Sequence, residues 1–149
     1  MEKQQGYPEF WTRLIEKFNA ERPEAKISKT ITKQYLQILT GTSRIHFEWQ
    51  LVGKPLDGFL VALHFELKDD YYENQRLLDC FKSKKDEFEN NFNERLQFGS
   101  HHNSTHMFLK RETNCMGDAT LDWGVKTMIK FYDTLKPILD EELNKYMKI

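Results

Sequence analysis

Apolar residues recur at three- and four-residue spacing through Phe10, Trp11, Leu14, Ile15 and Phe18, which is one face of an amphipathic helix ending near Ala20. Pro8 suits its first turn, where a missing amide hydrogen costs nothing. Beyond a polar link containing Pro23 the period changes. Residues 35–40, 45–52 and 59–67 are rich in β-branched and aromatic side chains and partly alternate apolar with polar, broken by Gly41-Thr42-Ser43 and by the run from Gly53 to Gly58. They predict three strands in a meander.

Asp70, with Glu73 three residues on, reads as a capping box opening a helix to about residue 91, whose stripe is Leu77, Phe81, Phe88 and Phe92. Residues 96–100 and 107–111 are short apolar-containing runs around a His101-His102-Asn103-Ser104-Thr105 turn, which predicts a second, smaller hairpin. Asp118 then caps a final helix with the stripe Leu121, Val125, Met128, Tyr132, Leu135 and Leu139. Pro137 is expected to kink or restart it, because a proline ring collides with the preceding turn. The predicted order is α-β-β-β-α-β-β-α. The fold class is α+β, an antiparallel sheet of about five strands with helices packed on one face and the other face left to solvent or a partner.

Period two divides the strands chemically. Phe47, Trp49 and Leu51 share a face with Phe59, Val61, Leu63, Phe65 and Leu67, and this face should meet the helices. His46, Glu48, Gln50, His64, Glu66 and Lys68 point the other way and are the candidate binding surface. If residues 54–58 form the turn, Gly53 faces Phe59, which puts Glu48 opposite His64 and His46 opposite Glu66. Cross-strand His/Glu pairs are ordinary on a solvated sheet face, stabilising it by about 0.2 to 1 kcal/mol each. The same residue types bind zinc and other divalent first-row ions, and a facing carboxylate raises a histidine pKa. The expectation is no metal and no cofactor, with His46, Glu48, His64 and Glu66 as the candidate ligands on this face. His101, His102 and His106 read as a polar hairpin tip that could join the same face.

Composition narrows the function classes. The chain has 149 residues and a net charge of -1, which fits one domain over residues 1–149 and no overall attraction for nucleic acid or anionic lipid. Cys80 and Cys115 are too few for a disulfide scaffold, so reduced thiols and a cytoplasmic location are expected. The opening run from Met1 to Gly6 has no apolar leader, and no apolar stretch is long enough to span a membrane. Nucleophilic catalysis finds no Gly-x-Ser-x-Gly elbow and no phosphate-cradling glycine loop. Lys82, Lys84 and Lys85 would make a basic patch with Lys26, Lys29 and Lys33 only if helix and link were neighbours.

Asp57 and Glu66-Leu67-Lys68 imitate the Asp…Glu-x-Lys metal site of one nuclease fold, with Glu16 as a further ligand. Nine residues of extended chain span about 30 Å, too far for two carboxylates to share an ion. Asp57-Gly58 is better read as a hairpin loop. Asp57, Glu66 and Lys68 remain the candidate catalytic residues, Glu66 and Lys68 needing a carboxylate other than Asp57.

The Phe10-Trp11 start, the three strands, the segment Leu78…Phe81…Lys85-Asp86-Glu87-Phe88-Glu89 leading to Leu96-Gln97-Phe98, and the closing Trp123…Phe131…Leu135-Lys136-Pro137-Ile138-Leu139 together resemble a prokaryotic domain of unknown function. That family is often C-terminal to restriction-endonuclease-like domains and also stands alone. The resemblance covers about residues 10–143, rests on apolar and aromatic positions, and implies no catalytic residues. It points to a non-catalytic interaction module, associated with a prokaryotic defence or nucleic-acid-processing system, that binds a protein partner or its own copy through the sheet face or edge. The alternatives are a metal-dependent nuclease or hydrolase using Glu66 and Lys68, and a sequence-independent nucleic-acid accessory domain whose binding weakens with salt.

Overall fold

The computed structural model describes residues 6–147; Met1 to Gln5, read above as lacking a leader, lie outside them. The element order is α1 (Tyr7–Glu21), β1 (Lys26–Ile27), β2 (Tyr35–Leu39), β3 (Ile45–Val52), β4 (Gly58–Phe65), α2 (Tyr71–Lys82), α3 (Lys85–Phe92), β5 (Gln97–His101), β6 (Ser104–Glu112) and α4 (Asp118–Met147). The strands form one antiparallel sheet in the order β1-β2-β3-β4-β6-β5. The class is α+β, as the patterning predicts. The sheet has six strands rather than five, because the polar link contributes β1. Two residues, Lys26 and Ile27, pair with Leu39 and Ile38, too short a bridge to leave a periodic signal.

One sheet face carries the core. Phe47, Trp49, Phe59, Val61, Leu63, Phe65, Met107 and Leu109 have no exposed surface, and each large side chain buried this way contributes about 1.5 to 3 kcal/mol. They meet Phe10, Trp11, Leu14 and Phe18 of α1, Leu77 and Phe81 of α2, and the stripe of α4 from Leu121 to Leu143. Phe18 stands edge-on to Trp49 at 5.1 Å, and the Trp49 indole donates to the Gly124 carbonyl at 2.9 Å, so both aromatic packing and a buried hydrogen bond lock α1 and α4 onto β3.

Two helix expectations change. The helix predicted over 70–91 is two helices. The Asp70 carboxylate caps α2 by accepting from the Glu73 amide at 3.2 Å, but the Ser83 hydroxyl donates to the Cys80 carbonyl at 2.7 Å and competes with the helical ladder there. Helix α3 restarts at Lys85 and stops at Asn93, which takes the left-handed conformation. Pro137, in contrast, does not restart α4, which runs unbroken for 30 residues. Leu135 and Leu139 on either side of it are both fully buried, and that packing outweighs one lost backbone hydrogen bond.

The β3 to β4 register also departs from expectation. Val52, not Gly53, faces the incoming strand, opposite Gly58. Gly53 has φ of +93° and a Cβ there would lie 2.7 Å from the Asp57 carboxylate, so it belongs to the turn and cannot continue the strand. The five-residue loop from Gly53 to Asp57 is closed by the Asp57 amide donating to the Val52 carbonyl at 2.9 Å. Pairing therefore slips by two residues relative to the predicted alignment, which keeps the side chains of the paired residues on their predicted faces but changes their opposite numbers.

Candidate functional site

The slip places His46 directly opposite His64, and His64 opposite His106. Three adjacent strands thus contribute one row of imidazoles on the helix-free face. His46 and His64 stack with centroids 5.3 Å apart and planes 17° from parallel; His64 and His106 stack at 5.3 Å and 18°. Phe108 continues the stack beyond His106 at 5.4 Å.

Glu48 and Glu66 flank this row. The predicted pairs survive as diagonal contacts: His46 Nε2 lies 3.4 Å from Glu66 Oε1, and His64 Nε2 lies 3.4 Å from Glu48 Oε2. His46 Nε2 also approaches Glu48 Oε1 at 3.3 Å, and His64 Nδ1 approaches Glu66 Oε2 at 3.7 Å. Each imidazole therefore sees both carboxylates. No helix covers this face, yet His46 and Glu48 are each only 6% exposed, because neighbouring side chains on the sheet shield one another. Gln37 on β2 completes the cluster, its amide nitrogen 3.2 Å from His46 Nε2 and donating to Glu48 Oε1 at 3.3 Å.

Electrostatics divide the row. Burial pulls the His64 pKa down, but its close approach to Glu66 and the charges of Glu48 and Glu66 outweigh burial and hold it above the ordinary histidine value. The Glu66 carboxyl lies below its ordinary value, chiefly through its contact with His64. His106 lies below the ordinary value because burial, and then the charge of His64, resist its protonation. His64 Nε2 is buried and makes no hydrogen bond.

The other candidates scatter. Asp57 is exposed in the turn before β4, whereas Glu66 follows the last residue of that strand, so the eight residues of β4 separate them. The chain leaves the sheet after Phe65, and Lys68 stands exposed in the turn to α2, off the face it was assigned to. Glu16 is exposed on α1, across the sheet from the imidazole row. Gln50 lies on the face, opposite Tyr35 and Leu60. His101 and His102 are exposed at the β5 to β6 turn, and of that group only His106 joins the stacked row. Lys26 is on the β1 edge while Lys82 ends α2, which packs over β6 and β4, so the two lysine groups do not merge into one patch.

Gln37 and Asn74 were not singled out from sequence. Gln37 carried a usable signal, since Tyr35, Gln37 and Leu39 alternate with buried Leu36 and Ile38. Asn74 carried none. It is fully buried, accepts from the Leu67 amide at 2.9 Å, and donates to the Leu67 and Asn103 carbonyls at 3.1 and 2.9 Å. It anchors the chain just past Glu66 to α2 and to the β5 to β6 turn.

A protein-family model described as a domain of unknown function, DUF4268, matches residues 7–139. No curated protein and no solved structure matches the chain.

Proposed function

This chain belongs to the DUF4268 family, and we propose that it is a non-catalytic interaction module whose helix-free sheet face binds a protein partner or a second copy of itself. The observation that carries this reading is the one-sided layering. The helices all pack on the Phe47 and Trp49 face, which leaves the opposite face with a polar centre, buried His46 and Glu48 with partly buried His64, beside exposed Tyr35 and Leu39, at 41% and 50%. An apolar and aromatic rim beside a shielded polar centre suits a protein interface better than free solvent. The setting we infer, from the kind of family the sequence resembles, is a prokaryotic defence or nucleic-acid-processing system. Among the described residues no helix is long and apolar enough to cross a membrane.

What favours binding over phosphodiester cleavage is the separation of Asp57 from Glu66 along β4 and the exposure of Lys68 away from both. The deciding experiment compares wild type with a Tyr35→Glu/Leu39→Glu double variant, by light scattering over a range of concentrations and by quantitative capture of co-expressed proteins. Self-association or a specific partner that the double variant loses supports the reading. A chain that stays monomeric and retains nothing the variant fails to retain removes it. Incubation with DNA and RNA in manganese is the control arm, and cleavage abolished by Glu66→Ala would transfer the assignment to a metal-dependent nuclease.

A further inference from the structure

We propose that His46, His64 and Glu66 bind a divalent first-row transition ion, zinc fitting best, at the centre of the helix-free sheet face. This goes beyond the interaction reading and reverses the expectation of no metal drawn from the sequence. One ligand atom from each of the three residues lies within 4.8 Å of the other two. Donor atoms around a tetrahedral zinc stand about 3.3 Å apart, given bonds of about 2.0 to 2.1 Å. His46 Nε2 and Glu66 Oε1 already stand 3.4 Å apart, so the remaining contraction falls on the two imidazoles, which must rotate about their side-chain bonds out of the 17° stack to aim one nitrogen each at a common ion.

The nitrogens are prepared for a metal. His46 Nε2 faces the Gln37 amide at 3.2 Å and the Glu48 and Glu66 oxygens at 3.3 and 3.4 Å, so an ion bound there would take the place of a proton between two carboxylates. His64 Nε2 is buried without a hydrogen bond, 3.4 Å from Glu48 Oε2, and is the second nitrogen open to an ion. Glu48, within 3.4 Å of both imidazoles, brings a second carboxylate that a divalent cation offsets.

Donor chemistry selects the ion. Two imidazoles with carboxylate suit zinc and its neighbours, whereas calcium and magnesium require mostly oxygen. Three protein donors leave a fourth position for water or a donor from a partner, and an open groove lined by Gln37, Leu39, Arg44, His46 and Glu66 reaches the cluster from solvent. His101 and His102, with centroids 4.2 Å apart at the exposed turn, form the competing pair.

The test strips the purified chain with a chelator and titrates it with zinc chloride against a chromophoric chelator, counting bound metal by mass spectrometry. One zinc per chain is expected, with affinity reduced about tenfold or more by Glu66→Gln and by His64→Gln, and unchanged by His101→Ala/His102→Ala. Glu66→Gln keeps the shape of a half-exposed side chain, so it reports even if the histidine variant fails to fold, and thermal melting of each variant establishes which are folded. Retention of no zinc, affinity unaffected by Glu66→Gln, or loss confined to the His101/His102 variant overturns the assignment.

Discussion

His64 stacks on His106 across β4 and β6, their ring centroids 5.3 Å apart, and the two rings respond to protons in opposite directions. Both are drawn down by burial. His64 recovers through direct contact with Glu66 and Glu48, while at His106 the same carboxylates do not overcome burial together with the charge on His64. An imidazole titration followed by NMR in chelator should therefore give His64 a midpoint above about 6.5 and His106 one below it. In His64→Gln, the His106 midpoint should climb but stay under the ordinary value, since burial, the larger influence, remains. Equal midpoints in the wild type would refute this division of the row.

The His64–Glu66 contact should make stability depend on pH within a definite window. A histidine whose folded pKa is raised contributes fully below about 6.5 and loses its contribution as pH climbs through the folded value. A carboxylate whose folded pKa is lowered contributes fully above about 4.5 and loses its contribution as pH falls through the folded value. The pair is therefore at full strength from about pH 4.5 to 6.5 and fades on both sides. Glu66 is partly exposed, so the difference between wild type and Glu66→Gln in urea unfolding should be about 1 kcal/mol or less. It should shrink from pH 6 to pH 8.5 in the presence of chelator. His106 lies below its ordinary value in both proteins, and losing the Glu66 charge lowers it further, which penalises Glu66→Gln most at low pH and so also shrinks the difference as pH rises. A difference that widens toward pH 8.5 would contradict the assignment.

Gly124 sits inside α4 at the tightest approach of helix to sheet. Replacing a helical glycine by alanine ordinarily adds about 1 kcal/mol of stability. Here the added Cβ would lie 2.5 Å from Phe59 Cε2 and 3.1 Å from Cζ. Phe59 is wedged among Phe10, Trp11 and Trp123 and has no exposed surface through which to yield. Overpacking of this kind costs about 1 to 3 kcal/mol, and any shift of α4 also strains the Trp49 bond to the Gly124 carbonyl. Gly124→Ala should therefore lower the unfolding free energy measured in urea despite its better helix propensity, by up to about 2 kcal/mol net. A stabilised variant would mean that the helix can lift from β4 freely.

The layering was legible because it depends on period alone. Phe47, Trp49 and Leu51 had to share a face and His46 and Glu48 the other, whatever the pairing, and β3 matches the predicted segment residue for residue. Pairing depends on which glycine turns the chain. Nothing in the letters between Gly53 and Gly58 distinguishes the one that takes positive φ from the one that opens a strand, so His46 was set against Glu66 instead of His64. The imidazole row needed more still, because β6 reaches β4 over the head of β5, which is earlier in sequence but outermost in the sheet. The break at Ser83 turns on a single hydroxyl, and the unbroken passage through Pro137 turns on burial of Leu135 and Leu139. These are tertiary outcomes that override local preference.

Asn74 is the polar residue on which the geometry beside Glu66 most depends. Its side chain makes three hydrogen bonds inside the protein, and its own carbonyl accepts from the Thr105 hydroxyl at 2.8 Å. Alanine at this position would leave the Leu67 amide and the Leu67 and Asn103 carbonyls without that partner, beside a side-chain position that itself has no exposed surface. Each abandoned buried group costs about 1 to 3 kcal/mol, less wherever relaxation admits water, so Asn74→Ala should lose about 3 kcal/mol overall. Asn74→Asp keeps the shape but exchanges a donor for a charged acceptor facing two carbonyl oxygens, so it should lose more than alanine at neutral pH. Urea unfolding measures the order, and hydrogen exchange at the Leu67 amide reads the local opening. Because Leu67 follows Glu66 directly, the same loosening should weaken zinc retention in Asn74→Ala even under conditions where the chain remains folded. If Asn74→Ala lost under 1 kcal/mol and left Leu67 protected, the carboxylate would have to be held in place by the Arg44 contacts to the Glu66 backbone, at 2.8 and 2.9 Å, instead.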